Sequence, residues 1–262
     1  MTFRILAARF ALGGFALGLL AACSEKPSAA ADSDTTQEAG YLAPPRVETV
    51  RPGPGGVTLS GIAAPGGQVR LATPAGQVQF APADARGHWT VVLPASAQAR
   101  IFGLSATTHG RSAQAEGYLL VTPSGQGALL RAGASAVRID PPAKPGLRAV
   151  DFDRGGGMEI SAGVAPGSVV TMLMDGRQIA QGRADSAGRY QVSLGGQTPV
   201  KPGAHRIQVF GDGYALMDQA TVQVSAAAPL AEGPVRSQLT SAGLRVDWLT
   251  PGGGVQSTLL VH

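Results

Sequence analysis

Apolar and polar residues alternate along several short segments of this chain. Trp89, Val91 and Leu93 fall on one side of an extended backbone, whereas His88 and Thr90 fall on the other. The same alternation recurs in three later segments: 170–174, 207–209 and 222–224. Clusters of Gly, Pro and Asp separate these segments, and no capped helical run follows the first 22 residues. The pattern predicts an all-β fold built from short, half-buried antiparallel strands.

The chain also contains an internal repeat. Residues 60–93 align without gaps to residues 161–194 at a constant offset of 101 positions. The alignment places Trp89 on Tyr190, and it places an Asp-x-x-Gly turn in front of each aromatic residue. We therefore expect two copies of one small β-sandwich with about seven strands. In each copy, Trp89 or Tyr190 should fill the space between the two sheets.

The repeated motif carries a family resemblance. Ala64-Pro65-Gly66, the turn Asp84–Gly87 and the strand that begins at Trp89 have counterparts in the second copy. Together they resemble the bacterial immunoglobulin-like repeats of secreted and surface proteins. The resemblance covers residues 57–123 and 147–226, and it implies tandem immunoglobulin-like sandwiches without indicating a specific function.

Two segments outside the sandwich motif share a plan of their own. Residues 118–130 and 246–261 each contain an apolar strand, a Thr-Pro and Gly-rich turn, and a second apolar strand, which is typical of a β-hairpin. We accordingly divide the folded body into a first sandwich with its hairpin at 57–140, a second sandwich at 141–228 and a C-terminal hairpin at 229–262. Two strands alone are marginal in water, so the last hairpin must pack on an earlier sheet or dock onto a partner. We expect Trp248 to be buried within the chain, and the alternative is that it forms an exposed binding site.

The N-terminal residues predict export. Arg4 and Arg9 precede a short apolar run, and the sequence Leu20-Ala21-Ala22 ends at Cys23, the one cysteine of the chain. This arrangement is typical of a secretory signal peptide. The small residues before a cysteine resemble the lipobox of bacterial lipoproteins. That resemblance implies a signal peptide at 1–22, removed by cleavage, and a lipid-modified Cys23 that anchors the mature chain to a membrane.

Composition fits an exported protein with a tether. Residues 23–56 are rich in Ser, Ala, Asp, Pro and Gly and contain few large apolar residues, so we expect a flexible linker there. The formal net charge of the whole chain is +4, and Arg4 and Arg9 leave with the signal peptide. The remaining basic residues are scattered singly, which argues against nucleic-acid binding. Ser24, the residue after Cys23, implies by the same lipoprotein resemblance an outer-membrane destination.

Few residues suggest chemistry. The histidines at 88, 109, 205 and 262 are isolated in sequence and lack the spacing of a zinc site. Asp151 and Asp153 form a fragment of a possible calcium site, but calcium takes about six to eight oxygen ligands. A Ser-His-Asp triad is spatial, so the sequence alone does not exclude it. We expect no cofactor, no metal and no catalytic residue.

Three functions remain open at this stage. The first is a non-catalytic lipoprotein of the cell envelope that serves as an immunoglobulin-like scaffold or protein-binding module. The second is an envelope module that binds peptidoglycan or another glycan, with Trp248 as the candidate binding residue. The third is a hydrolase or the accessory subunit of an envelope enzyme.

Overall fold

The computed structural model of the chain describes residues 42–139, 144–196 and 198–262. The predicted signal peptide, Cys23 and the first part of the predicted tether lie outside the described residues. The described part is an all-β protein in which every strand pair is antiparallel, so the fold class expected from the alternation is confirmed. Among the described residues, no helix is long and apolar enough to cross a lipid bilayer.

The first repeat contributes nine strands: β1 Arg46–Gly53, β2 Gly56–Ile62, β3 Gln68–Ala72, β4 Val78–Pro82, β5 His88–Pro94, β6 Arg100–Thr108, β7 Arg111–Val121, β8 Gly127–Leu130 and β9 Val137–Arg138. The second repeat and the C-terminal segment contribute ten: β10 Gly146–Asp153, β11 Met158–Gly163, β12 Val169–Met174, β13 Arg177–Arg183, β14 Arg189–Leu194, β15 Gly203–Phe210, β16 Leu216–Val224, β17 Val235–Thr240, β18 Gly243–Leu249 and β19 Val255–Val261. A short 3-10 helix, Asp212–Tyr214, lies between β15 and β16.

The strands form four sheets that stack as four layers. Sheet 1 has the order β1-β2-β5, and sheet 2 has the order β4-β3-β6-β7-β8-β9. Sheet 3 has the order β14-β11-β10-β19-β18-β17, and sheet 4 has the order β13-β12-β15-β16. One apolar core fills the space between sheets 1 and 2, and another fills the space between sheets 3 and 4. Each repeat is therefore a β-sandwich of the immunoglobulin-like type, as the duplication predicts.

The predicted tether is too long at its C-terminal end. β1 lies inside the segment 23–56 and pairs along its length with β2. Its Val50 is buried in the core between sheets 1 and 2. β1 contains few large apolar residues because only one face of this edge strand packs on the core. Composition alone does not distinguish such a strand from a linker.

The C-terminal segment 229–262 is also more than an isolated hairpin. It forms three strands, and β19 pairs with β10, so the segment widens sheet 3 from three strands to six. The hairpin at 118–130 forms as β7 and β8 and, with β9, widens sheet 2. The two Thr-Pro segments thus extend different sheets of the two repeats.

One local turn recurs throughout the fold. In this turn, the backbone carbonyl of a Thr or Asp accepts the N–H of the glycine three residues later. The backbone N–H of the same Thr or Asp donates to the carbonyl of the residue that follows the glycine. In most copies its side-chain oxygen also accepts N–H groups of the turn. The turn occurs six times, at 73–77, 84–88, 122–126, 153–157, 185–189 and 250–254. Its glycine has positive φ in every copy, which is why the sequence repeats Thr/Asp-x-x-Gly between strands.

Candidate functional site

The principal candidate site is the junction between the two repeats, where a third apolar core lies between sheets 2 and 3. The first repeat contributes mainly Ile101, Leu120 and Leu130, and the second side contributes Val246, Trp248 and Leu260. Both Thr-Pro hairpins therefore pack against each other. Trp248 is 0% exposed, which confirms the expectation that it is buried within the chain. Trp248 therefore offers no exposed surface of its own to a ligand.

A string of buried polar groups crosses this junction. The Trp248 indole N–H donates to Thr258 Oγ1 at 3.1 Å, and the Thr258 hydroxyl donates to Asp151 Oδ1. The other carboxylate oxygen of Asp151 accepts the backbone N–H of Ala136, which belongs to the first repeat, at 2.8 Å. Because buried polar groups must find partners, these bonds fix one alignment of the repeats against each other.

Gln256 makes a second connection beside the first. Its side-chain oxygen accepts the N–H of Gly133 at 3.0 Å, and its amide nitrogen donates to the carbonyl of Arg131 and to Asp151 Oδ1. Asp151 is 1% exposed. Burial raises the pKa of Asp151 to about 7, although its hydrogen bonds with Thr258, Ala136 and Gln256 oppose the shift and Glu159 adds to it.

Asp151 and Asp153 do not converge on a cation site. Asp151 accepts hydrogen bonds from the junction, whereas Asp153 Oδ1 accepts the backbone N–H groups of Gly155 and Gly157 in its own turn. Across the described ranges, no group of three or more His, Cys, Asp or Glu side chains is placed to hold a metal ion. The calcium fragment suggested by the sequence is thus divided between two structural roles.

The histidines are placed separately. His88 is exposed on the outer face of β5, as the alternation predicts, and His109 occupies the tight turn between β6 and β7. His205 Nδ1 lies 2.7 Å from Asp175 Oδ2, and His205 Nε2 lies 2.8 Å from the Lys201 carbonyl. Burial lowers the pKa of His205, but these hydrogen bonds and the charge of Asp175 outweigh it and raise the pKa overall. With both ring nitrogens engaged, His205 is not positioned to take a proton from a nucleophile.

In the part of the chain that the structure describes, one cleft lies against sheet 3 and another against sheet 2. The first cleft, of about 630 Å³, lies against sheet 3 and is lined by four basic side chains: Arg138, Lys144, Arg148 and Arg189. Lys144 pairs with Asp218 at 3.0 Å, and Arg189 pairs with Asp185 at 3.0 Å. Arg138 donates to the Val261 carbonyl and Arg148 to the Gly163 carbonyl. The cations of this cleft are therefore held by neighbouring protein groups.

The second cleft, of about 390 Å³, lies against sheet 2. Its polar lining comes from Arg70 on β3, Ser105 on β6, and Gln114 and Glu116 on β7. Tyr118 and the turn at Pro251 close one side, with Trp248 behind them. Tyr118 packs edge-on against Trp248 with ring centroids 6.1 Å apart.

Of the residues that line the second cleft, the sequence singled out Trp248 as a binding candidate but none of the polar ones. Arg70, Gln114 and Glu116 are outward positions on their strands, and an outward polar residue carries no signal of its own in the sequence. Their convergence depends on strand register, because Arg70 lies opposite Ser105 and Ser105 lies opposite Gln114. The register between these strands cannot be obtained from alternation within each strand.

The fold is assigned from the arrangement of the sheets and not from comparisons with known proteins. No protein-family model matches the chain, and no curated protein matches it. A solved structure described as "Biofilm associated protein - BSP domain" is 13% identical over 71% of this chain and 30% of its own length, with a TM-score of 0.25. A "Central Fibronectin-III array of RIM-binding protein" is 12% identical over 83% of this chain and 88% of its own, with a TM-score of 0.25.

A "tetra-tandem repeat in extending region of large adhesion protein" is 16% identical over 82% of this chain and 62% of its own, also with a TM-score of 0.25. The chain thus spans less than a third of the length of the first of these structures. At these identities and TM-scores, nothing about function follows from these likenesses.

Proposed function

We propose that this chain is a non-catalytic lipoprotein of the bacterial cell envelope whose two immunoglobulin-like repeats act as one stiff binding module. Lipid on Cys23 would hold it at the outer membrane, and the segment between Cys23 and β1 would separate the membrane from the folded body. The core between sheets 2 and 3 is the observation that carries this proposal. This core joins the repeats through apolar side chains and buried hydrogen bonds. A module that presents a fixed binding surface requires such a rigid junction.

The sequence supports the membrane attachment. An acyl chain contributes about 0.8 kcal/mol per buried CH₂ group, and durable anchoring takes more than one chain or a second signal. The basic start, the short apolar run and the small residues before Cys23 supply the features that such processing uses. With lipid on Cys23 no thiol remains, so stability must come from packing and from the strand ladders.

Metabolic labelling with a palmitate analogue tests the anchor. We expect the wild-type chain to carry label and to fractionate with membranes, and Cys23→Ala to lose the label because lipidation and processing at this site are blocked. Ser24→Asp is the matched control: the lipoprotein resemblance implies that it keeps the label but stays in the inner membrane. Label retained on the Cys23→Ala chain would overturn the proposal.

A further inference from the structure

We propose that the cleft against sheet 2 binds a glycan chain through Arg70, Ser105, Gln114, Glu116 and Tyr118. This inference deepens the proposed envelope function by assigning a ligand class to a particular surface. It does not depend on how the chain is anchored, because the cleft belongs to the folded body alone.

The polar side chains of this cleft have no role inside the protein. Among the described residues, the side chains of Arg70, Ser105, Gln114 and Glu116 make no hydrogen bond or ion pair. Three of them are exposed and Ser105 is half-buried. In the basic cleft on the other side of the junction, by contrast, the cations are held by neighbouring acids and carbonyls. Of these two clefts, the one against sheet 2 therefore offers several unused donors and acceptors together.

The arrangement of these side chains suits a chain of sugars. Phe80, Arg70, Ser105 and Gln114 lie directly opposite one another on four neighbouring strands, so they form one row across the outer face of sheet 2. Strands lie about 4.8 Å apart, so the row is roughly 14 Å long. Phe80 is 55% exposed at one end of the row, and Tyr118 lines the cleft near the other end.

Chemical complementarity favours a polyhydroxylated ligand. Guanidinium, amide, hydroxyl and carboxylate groups together donate to and accept from sugar hydroxyls. Aromatic side chains can pack against the apolar C–H face of a sugar ring. The single positive charge of Arg70 is balanced by Glu116, so the cleft has no net charge with which to select a strongly anionic ligand. Its volume of about 390 Å³ lies within the usual range of ligand clefts, about 300–1,000 Å³.

Two envelope polysaccharides share this chemistry, namely the glycan strands of the cell wall and the chains of surface polysaccharide. The full chain, purified in detergent, would be tested for co-sedimentation with purified sacculi. In a second arm it would be titrated with delipidated polysaccharide released from lipopolysaccharide. We expect binding in at least one arm, and the arm that responds identifies the source of the glycan.

The double variant Arg70→Ala/Gln114→Ala tests the location of binding. We expect it to weaken binding by roughly tenfold or more, since it removes two hydrogen-bonding side chains. Both side chains lie on the outer face of sheet 2, so an unchanged thermal melt would show that the variant is folded. The matched control is Arg189→Ala/Gln191→Ala in the basic cleft, which should bind like the wild type. Absence of binding in both arms, equal binding by the Arg70/Gln114 variant, or equal loss in both variants would overturn the inference.

Discussion

Two aromatic residues at equivalent positions show how the repeats have diverged at the residue scale. Trp89 is 1% exposed, and its ring lies over Gly61 on the neighbouring strand, where a Cβ atom would approach Trp89 Cζ2 to 2.9 Å. Tyr190 is half-buried, and it packs instead against Gly182, where a Cβ atom would approach the ring to 2.7 Å. The alignment places an Ala opposite each of these glycines in the other copy. Gly182 thus makes room for the Tyr190 ring, whereas at Gly61 the carbonyl oxygen of Arg46 lies closer than the Trp89 ring, 1.9 Å from such a Cβ atom.

Replacing Trp89 with Ala should cost about 3–5 kcal/mol of unfolding free energy, since it leaves a large cavity between sheets 1 and 2. The adjacent His88→Ala is the control, because His88 is exposed and its replacement should change the unfolding free energy by no more than about 0.5 kcal/mol. Denaturant melts of both variants provide the measurement. Similar losses would contradict the strand register.

The buried carboxyl of Asp151 gives the junction a pH dependence. Burial raises its pKa from 3.8 to about 7, so the folded state binds more protons than the unfolded state between these values. Its contribution to stability is therefore greatest below pH 3.8 and is lost as the pH rises through about 7. Asp151→Asn removes this titration. The unfolding free energy of the variant relative to the wild type should rise from about pH 4 to about pH 7 and then stay level.

The informative quantity is the change with pH in the difference between the unfolding free energies of Asp151→Asn and the wild type. Any pH-independent gain or loss of hydrogen bonds in the variant shifts this difference equally at every pH. Denaturant melts between pH 4 and 8 would supply it. A difference between the two proteins that does not change with pH would show that Asp151 does not titrate in this range.

At the scale of elements, the sequence predicted most of the strands but not all of their neighbours. Alternation and the offset of 101 positions located the strands of both sandwiches. β1 was missed because one buried face in an edge strand leaves a weak apolar signal. The sequence predicts that the last hairpin packs on an earlier sheet, but not that β19 pairs with β10, because pairing between strands about one hundred residues apart depends on the tertiary fold.

Deletion of residues 243–262 removes β18 and β19 from sheet 3. Leu120 and Leu130 would then lose Val246, Trp248 and Leu260 as neighbours in the third core. We expect a clearly lower melting temperature for the full chain without these residues, because buried apolar surface is exposed to water. An unchanged melt together with loss of a bound partner would show that the segment docks outward instead.

At the scale of the whole molecule, the widened sheets are the ones that meet. Sheets 2 and 3 have six strands each, whereas the outer sheets have three and four. The strands added to sheets 2 and 3 include β8, β18 and β19, which supply half of the buried side chains of the third core. The sequence presented these additions as two similar hairpins, but only the structure shows that they pack on each other. The junction follows from that contact.

The two repeats form one four-layer body. Pulsed electron–electron double resonance on the full chain tests this arrangement, with Cys23→Ala removing the native thiol and spin labels attached at Thr90→Cys and Thr221→Cys. Thr90 is exposed on sheet 1 and Thr221 on sheet 4. Three sheet-to-sheet spacings of about 10 Å separate the two outer sheets by roughly 30 Å. We expect a single narrow distance distribution; a broad distribution would show that the repeats move independently and would contradict a single four-layer body.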